Sequence, residues 1–235
     1  MKFIKALLTY FNPFEWALLI VSLGVSIFCF FYFHSTQYLY LIGSIVGFFA
    51  ILFAAKGSPV GPFLMFVFSI FYGFVSFTYK YYGEMIVYLC VTAVIAFVSF
   101  IAWLRHPSKE KGVVKTRILD WKEVLMVLSL AASVSAVLFF WLKALNTANL
   151  ILSIFSVFTS LSAIIFEYRR SKLFSILYMI NDIILIVMWS MAAQENSEYY
   201  SLVVCFGAFF INDIYALVSW ILLEKRQGRT NIESN

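Results

Sequence analysis

YMINDIILIVMW, residues 178–189, and FFINDIYALVSW, residues 209–220, are two variants of one phrase. Each holds Asn-Asp-Ile, and each closes on a tryptophan eight positions after the asparagine. The rest of both stretches is almost wholly apolar. A membrane-spanning helix needs about 20 such residues, and a charge at the bilayer centre costs about 2.5–3.5 kcal/mol on insertion scales. Asn181, Asp182, Asn212 and Asp213 are therefore predicted to face a bundle interior or a watery cavity, away from lipid.

The composition of all 235 residues agrees: 63% are hydrophobic, 12% are charged, and the mean hydropathy is +0.92. Soluble domains have roughly 45–50% apolar and about 25% charged residues, so the chain is read as one all-α integral membrane domain. Cys29, Cys90 and Cys205 all lie inside apolar runs, which argues against a disulfide framework. His34 and His106 are far apart, and no His/Cys cluster has metal-ligand spacing. No metal or cofactor is predicted. The opening MKFIKALLTYFNPFEW is too interrupted for a signal peptide and reads as a short interfacial helix with Trp16 near the headgroups.

Eight spans are predicted: Trp16–Phe33, Gln37–Ala55, Gly61–Tyr79, Glu84–Leu104, Val124–Trp141, Asn146–Phe166, Lys172–Ala192 and Glu198–Leu222. With a cytoplasmic N-terminus, every Lys and Arg except Lys80 and Lys143 falls on the inner side. The positive-inside rule asks for that asymmetry. The basic clusters are thus topology signals beside anionic lipid, and the net charge of +5 does not imply a nucleic-acid partner. Spans two to four overlay on spans six to eight, through AAKGS with FEYRRSK and YKYYGEM with SEYYSL. A single span between two three-helix units lets both point the same way through the bilayer, an arrangement that places a transporter's site near the midplane. The chain divides into an N-terminal segment with an extra span (1–35), a first repeat (36–105), a basic loop with a linker helix (106–145), a second repeat (146–224) and a tail (225–235).

Helical phase adds detail, because positions seven apart share a face. Asp182 shares one with Trp189, and Asp213 with Trp220. Asn212 shares one with Tyr215 and Ser219. Hydrogen-bonding groups beside flat aromatics suit a planar heterocycle carrying a polar sugar, with Trp adding a cation–π attraction if the ring is cationic. Tyr72, in FYGF of the third span, is a further candidate. The competing reading is that the buried asparagines bond a neighbouring helix and bind nothing, at about 0.6 kcal/mol each, and that the tryptophans are interfacial anchors.

On AAKGS, the YGE before the fourth span, INDI in the seventh, and INDIYALVSW followed by EKRQ, the chain resembles the PnuC family of bacterial vitamin transporters, from about Tyr38 to Gln227. The resemblance implies a three-plus-one-plus-three bundle like that of SWEET sugar transporters, a homotrimer, and facilitated diffusion of nicotinamide riboside with trapping by a cytosolic kinase. It also implies substrate contacts from Asn181 and Asn212. The chain departs from the family pattern in its first repeat. Phe68 and Ala96 stand where the family carries carboxamides, and Ser99-Phe100 stands in place of Gly-Trp; Ser69 or Tyr72 can substitute. Deoxynucleosides and thiamine therefore remain alternative substrates. Two rival mechanisms are proton coupling through Asp182 or Asp213 and an intramembrane enzyme with those two residues as a dyad. The expected setting is the bacterial cytoplasmic membrane, with both termini inside.

Overall fold

The computed structural model describes residues 10–36 and 38–232, the last four as backbone. Lys2 and Lys5, most of the expected interfacial segment, and Gln37 at the start of the second predicted span lie outside the described residues. Eight helices among those described are long and apolar enough to cross a membrane. They are α1 (Pro13–Tyr32), α2 (Tyr38–Ala55), α3 (Val60–Thr78), α4 (Tyr82–Arg105), α5 (Trp121–Ala144), α6 (Leu150–Tyr168), α7 (Leu173–Glu195) and α8 (Tyr200–Ile232). Helices are what such apolar runs must form in lipid, since each satisfies its own backbone.

Most boundaries lie within three residues of the sequence reading; two differ by more, and one span has an irregular interior. α6 starts at Leu150, later than Asn146, because Asn146 and Asn149 both adopt left-handed backbone, with φ of 52° and 50°. α8 runs on past Leu222 to Ile232, because the charged stretch after the apolar run is still good helix-forming sequence. α4 holds a π-helical stretch at Val87–Thr92 between two α-helical parts, which an apolar pattern does not announce. α1 begins with a capping box: Asn12 Oδ1 accepts from Glu15 N at 2.8 Å, and Glu15 Oε2 accepts from Asn12 N at 2.7 Å.

Six helices form a ring. α2 packs on α3 and α3 on α4; α6 packs on α7 and α7 on α8; α2 against α8 and α4 against α6 close it. α1 lies outside against α2 and α8, and α5 lies outside mainly against α6. Exchanging α2, α3 and α4 for α6, α7 and α8 leaves the ring's pattern unchanged.

The hydrogen bonds repeat as well. In the turn between α2 and α3, Gly57 N donates to Ala54 O (2.8 Å) and Ser58 N to Phe53 O (3.0 Å). In the turn between α6 and α7, Arg170 N donates to Glu167 O (2.9 Å) and Ser171 N to Phe166 O (3.1 Å). Gly57 and Arg170 both have positive φ, 67° and 61°. Each turn is latched by a tryptophan from the far end of its neighbouring half. Trp220 Nε1 donates to Ala54 O at 2.8 Å, and Trp103 Nε1 donates to Glu167 O at 3.0 Å.

The loop before α5 ties the same two turns together. Val114 N donates to Gly57 O and Arg117 N to Arg170 O, each at 2.9 Å. Gln227, on the extension of α8, accepts from Thr116 N (2.9 Å) and donates to Val114 O (2.9 Å). Around this strap lie the ion pairs Arg117–Glu123, Arg169–Glu123, Lys172–Glu224 and Arg226–Glu110. This is the basic end of the bundle; Lys80 and Lys143 sit in or near turns at the other.

The latches generate a test. A buried hydrogen bond between neutral groups is worth about 0.5–1.5 kcal/mol net. Trp103→Phe and Trp220→Phe are each expected to lower the thermal unfolding temperature of the detergent-solubilised protein. Wild-type unfolding temperatures in both variants would show that the latches contribute nothing.

Candidate functional site

Midway along α7 and α8, three residues of the repeated Asn-Asp pairs, Asn181, Asp182 and Asp213, meet the interior of the ring. A cavity there is lined by Asn181, Asp182 and Tyr178 from α7, Asp213, Phe206 and Phe209 from α8, Gly47 and Ile51 from α2, Met65 and Phe68 from α3, and Tyr88 from α4. Its volume is about 30 Å³, room for a water molecule or two and far below the ~300–1,000 Å³ of a ligand-filled site. The site is too narrow for a solute of heterocycle size, which requires the helices to part.

The cavity has two unlike walls. The polar wall comes from α7 and α8, where the carboxyl groups of Asp182 and Asp213 face one another. Asp182 Oδ2 has no hydrogen-bond donor. Asn181 Oδ1 accepts from Ser156 Oγ and Thr159 Oγ1 of α6, both at 2.8 Å, which fixes the carboxamide against the cavity. Tyr178 reaches across to Glu167 Oε2 (3.1 Å). The aromatic wall is a chain of rings: Phe48–Phe209 at 4.6 Å, Phe68–Phe209 at 5.6 Å and Phe68–Tyr88 at 6.1 Å between centroids. Gly47 makes room for it, since a Cβ there would meet Phe209 Cζ at 2.7 Å. The π-helical stretch of α4 carries Tyr88 into the cavity. π turns add one residue to the helical turn and are frequent at functional sites.

Each end of the ring opens into a vestibule. At the basic end, about 430 Å³ is lined by residues that include Asn12, Glu15, Lys56, Tyr215 and Ser219. At the other end, about 540 Å³ is lined by Tyr79, Tyr81, Asn149, Glu195 and Tyr199 among others. Burial pushes the Tyr79 and Tyr81 phenols above their ordinary value, with neighbouring Tyr199 adding to Tyr79, so both remain neutral rings. Between this vestibule and the cavity stands a plug. Trp189 Nε1 donates to Tyr72 Oη at 3.2 Å. Trp189 packs edge-on to Tyr79 and Tyr81, both at 5.0 Å, while Tyr72 packs on Tyr88 (4.6 Å) and Phe68 (5.7 Å).

Of the residues the sequence singled out, the structure brings Asn181, Asp182 and Asp213 to the cavity and places the others elsewhere. Asn212 faces outward from the ring, where its Nδ2 donates to Ser22 Oγ of α1 (2.8 Å) and to Ala208 O (2.8 Å). Tyr215 shares that face, as helical phase requires, but its hydroxyl donates to Glu15 Oε1 (2.6 Å) in the basic-end vestibule. Glu15 also pairs with Lys56 at 3.0 Å, so α1, α2 and α8 are joined at one carboxylate. Trp220 is committed to its latch, and Trp189 and Tyr72 form the plug. Residues seven apart do share a face, but phase alone does not say which neighbour the face meets. The sequence reading passed over Tyr178 and Phe209, although each lies four positions before an aspartate and therefore on its side of the helix.

This geometry has known counterparts. The sequence profile of the family described as nicotinamide mononucleotide transporter matches residues 37–222. The chain belongs to that family. It is therefore a membrane transporter, and not an enzyme. A curated relative, the nicotinamide riboside transporter PnuC of Neisseria mucosa, is 27% identical over 221 residues, covering 92% of this chain and 83% of the relative. The crystal structure of the vitamin B3 transporter PnuC is 26% identical and superposes with a TM-score of 0.80, covering 92% of this chain and 94% of that one. The family match starts at the second span, so α1 lies outside it, while Asn212 and Tyr215, which α1 contacts, lie inside it.

Asn212→Leu is expected to lower the unfolding temperature, by leaving Ser22 without its donor at a cost of about 1–3 kcal/mol, while ligand affinity holds. Calorimetric titration of the folded variant checks it. A tenfold loss of affinity would return Asn212 to the site.

Proposed function

We propose that the chain carries nicotinamide riboside across the bacterial cytoplasmic membrane by uniport, with a cytosolic kinase trapping the product. One observation carries the reading: a narrow mid-membrane cavity with carboxylates and a carboxamide on one wall and aromatic rings on the other. The heterocycle stacks against Phe68, Tyr88 and Phe209, and the ribose and amide groups exchange water for Asn181, Asp182 and Asp213. Passage requires the Trp189–Tyr72 plug to open toward one vestibule and the Ile51–Ala55 region of α2 to open toward the other. The relatives' names support the substrate class. The matched turns and tryptophan latches support two parallel three-helix repeats joined by α5. The clustering of basic residues at one end supports both termini inside, and trimeric assembly belongs to the same reading.

A second reading, transport of a deoxynucleoside or thiamine, is favoured by Phe68 and Ala96. They occupy the places in α3 and α4 that correspond to Asn181 and Asp213 in α7 and α8, so one half of the ring offers no polar group there.

Uptake by proteoliposomes separates these possibilities. Riboside is expected to equilibrate and then stop; accumulation above the external level, driven by a proton gradient and abolished by an ionophore, would replace uniport by coupling through Asp182 or Asp213. Uptake of thiamine or thymidine with no riboside uptake would favour the second reading. A lost neutral hydrogen bond costs about 0.5–1.5 kcal/mol and an unpaired buried partner about 1–3. Asn181→Leu is therefore expected to weaken binding roughly 10- to 100-fold, since 1.4 kcal/mol is tenfold. Wild-type affinity in a folded Asn181→Leu protein would remove that residue from the site. Single cysteines at 35, 82, 145 and 196 are expected to react with an impermeant reagent from outside, and a cysteine at 112 is not; the reverse pattern would invert the topology.

A further inference from the structure

Glu84 is a carboxylate in the membrane interior that neither the cavity nor the latches use. It sits in the first turn of α4, is 1% exposed, and neither Oε1 nor Oε2 has a hydrogen-bond partner. None of the ion pairs among the described residues includes it. Its polar neighbour Ser156 directs its hydroxyl to Asn181 Oδ1. Tyr81 and Tyr88 lie three residues before it and four after it, at spacings that share a helix face: Tyr81 lines the vestibule opposite the basic end, Tyr88 lines the cavity, and Tyr88 packs at 4.6 Å on Tyr72, half of the plug. Glu84 thus lies beside the route from that vestibule to the cavity.

We propose that Glu84 is a transit site that selects an organic cation, an N-substituted aromatic heterocycle such as a pyridinium, on its way between the vestibule and the cavity. The proposal rests on the transporter reading above and sharpens its substrate class. A buried carboxylate without a donor is neutralised by a proton or by a counter-cation, because leaving it bare in an apolar interior is too costly. Here the surroundings fit the second. Tyrosine rings lie along the route on both sides of Glu84, and such rings attract a delocalised cation, while no ion pair among the described residues commits the carboxylate. A flat cation leaving the vestibule exchanges the Tyr79–Tyr81–Trp189 cluster for Tyr72 and Tyr88, with Glu84 beside it through the exchange. The π-helical stretch begins three residues after Glu84, and its looser backbone allows this end of α4 to give way as the plug opens. The polar groups of the cavity itself, Asp182 and Asp213, then receive a ligand whose charge has already been checked. Neutral nucleosides gain nothing at Glu84, so the site separates the two readings of the substrate.

The test compares cationic nicotinamide riboside with its uncharged dihydro form in proteoliposomes. In E84Q, the preference for the cation over the neutral form is expected to fall at least tenfold, whereas E84D, which keeps the charge, is expected to retain most of it. A folded E84Q protein with the wild-type preference overturns the proposal and leaves Glu84 as a protonated packing residue. A second measurement needs no variant: 1-methylnicotinamide should inhibit wild-type uptake at least tenfold better than nicotinamide, and equal inhibition overturns the proposal even if E84Q fails to fold. Wild-type protein that moves neither riboside defeats the transporter reading itself, an outcome distinct from an unchanged preference.

Discussion

A bilayer offers no water to a polar group inside it, so every such group in this bundle needs a partner from the chain or from what passes through it. The helix ends near the basic face follow that demand closely. In the turns after α2 and α6, the carbonyls of Ala54 and Glu167 accept from Gly57 N and Arg170 N, and Trp220 and Trp103 reach across to give each a second donor. The strap from Val114 to Arg117 supplies two more, at Gly57 and Arg170. Glu15 answers its own helix start, Lys56 and Tyr215 together. Several buried polar atoms remain unanswered, and the carboxylate oxygens among them include Asp182 Oδ2 at the cavity and both oxygens of Glu84. A polar solute has reason to enter where the protein has left such groups open.

The eight spans were legible because a run of about 20 apolar residues has few other fates. The boundaries that shifted did so for local reasons invisible to hydropathy: left-handed backbone at Asn146 and Asn149, and a charged helical extension beyond Leu222. The site was legible in part. Asn181, Asp182 and Asp213 stood out as polar residues at mid-membrane depth, and they do line the cavity. Asn212 carried the same signal and faces α1. The difference is one position along a helix, about 100° of rotation, and sequence does not say that an extra helix waits on that side. Trp220 looked like a stacking surface because it follows Asp213 by seven; its indole N–H instead found a carbonyl in another helix. Tyr88 was hidden by the π turn, which alters the phase on which such reasoning depends.

The two halves of the ring share a scaffold and differ in what they offer the ligand. Turns, strap bonds and latches recur at corresponding places, so whatever holds α2–α4 together holds α6–α8 together. At the cavity the correspondence breaks: Asn181 and Asp213 on one side, Phe68 and Ala96 on the other. The polar groups of the C-terminal half are also braced from behind, Asn181 by Ser156 and Thr159 of α6, which gives a rigid set of contacts rather than an adaptable one.

That break has a geometric consequence. In a ring of two identical halves, any pose of a bound solute has an equally good twin, reached by turning it half a revolution about the axis normal to the membrane. Phe68 removes the twin. On the proposed reading, a solute with a flat end and a hydroxylated end lies here in one sense only, sugar toward α7 and α8, ring toward α3. It keeps that sense during passage if the helices part only far enough to admit it. The direction in which a molecule faces on entering then fixes the direction in which it leaves.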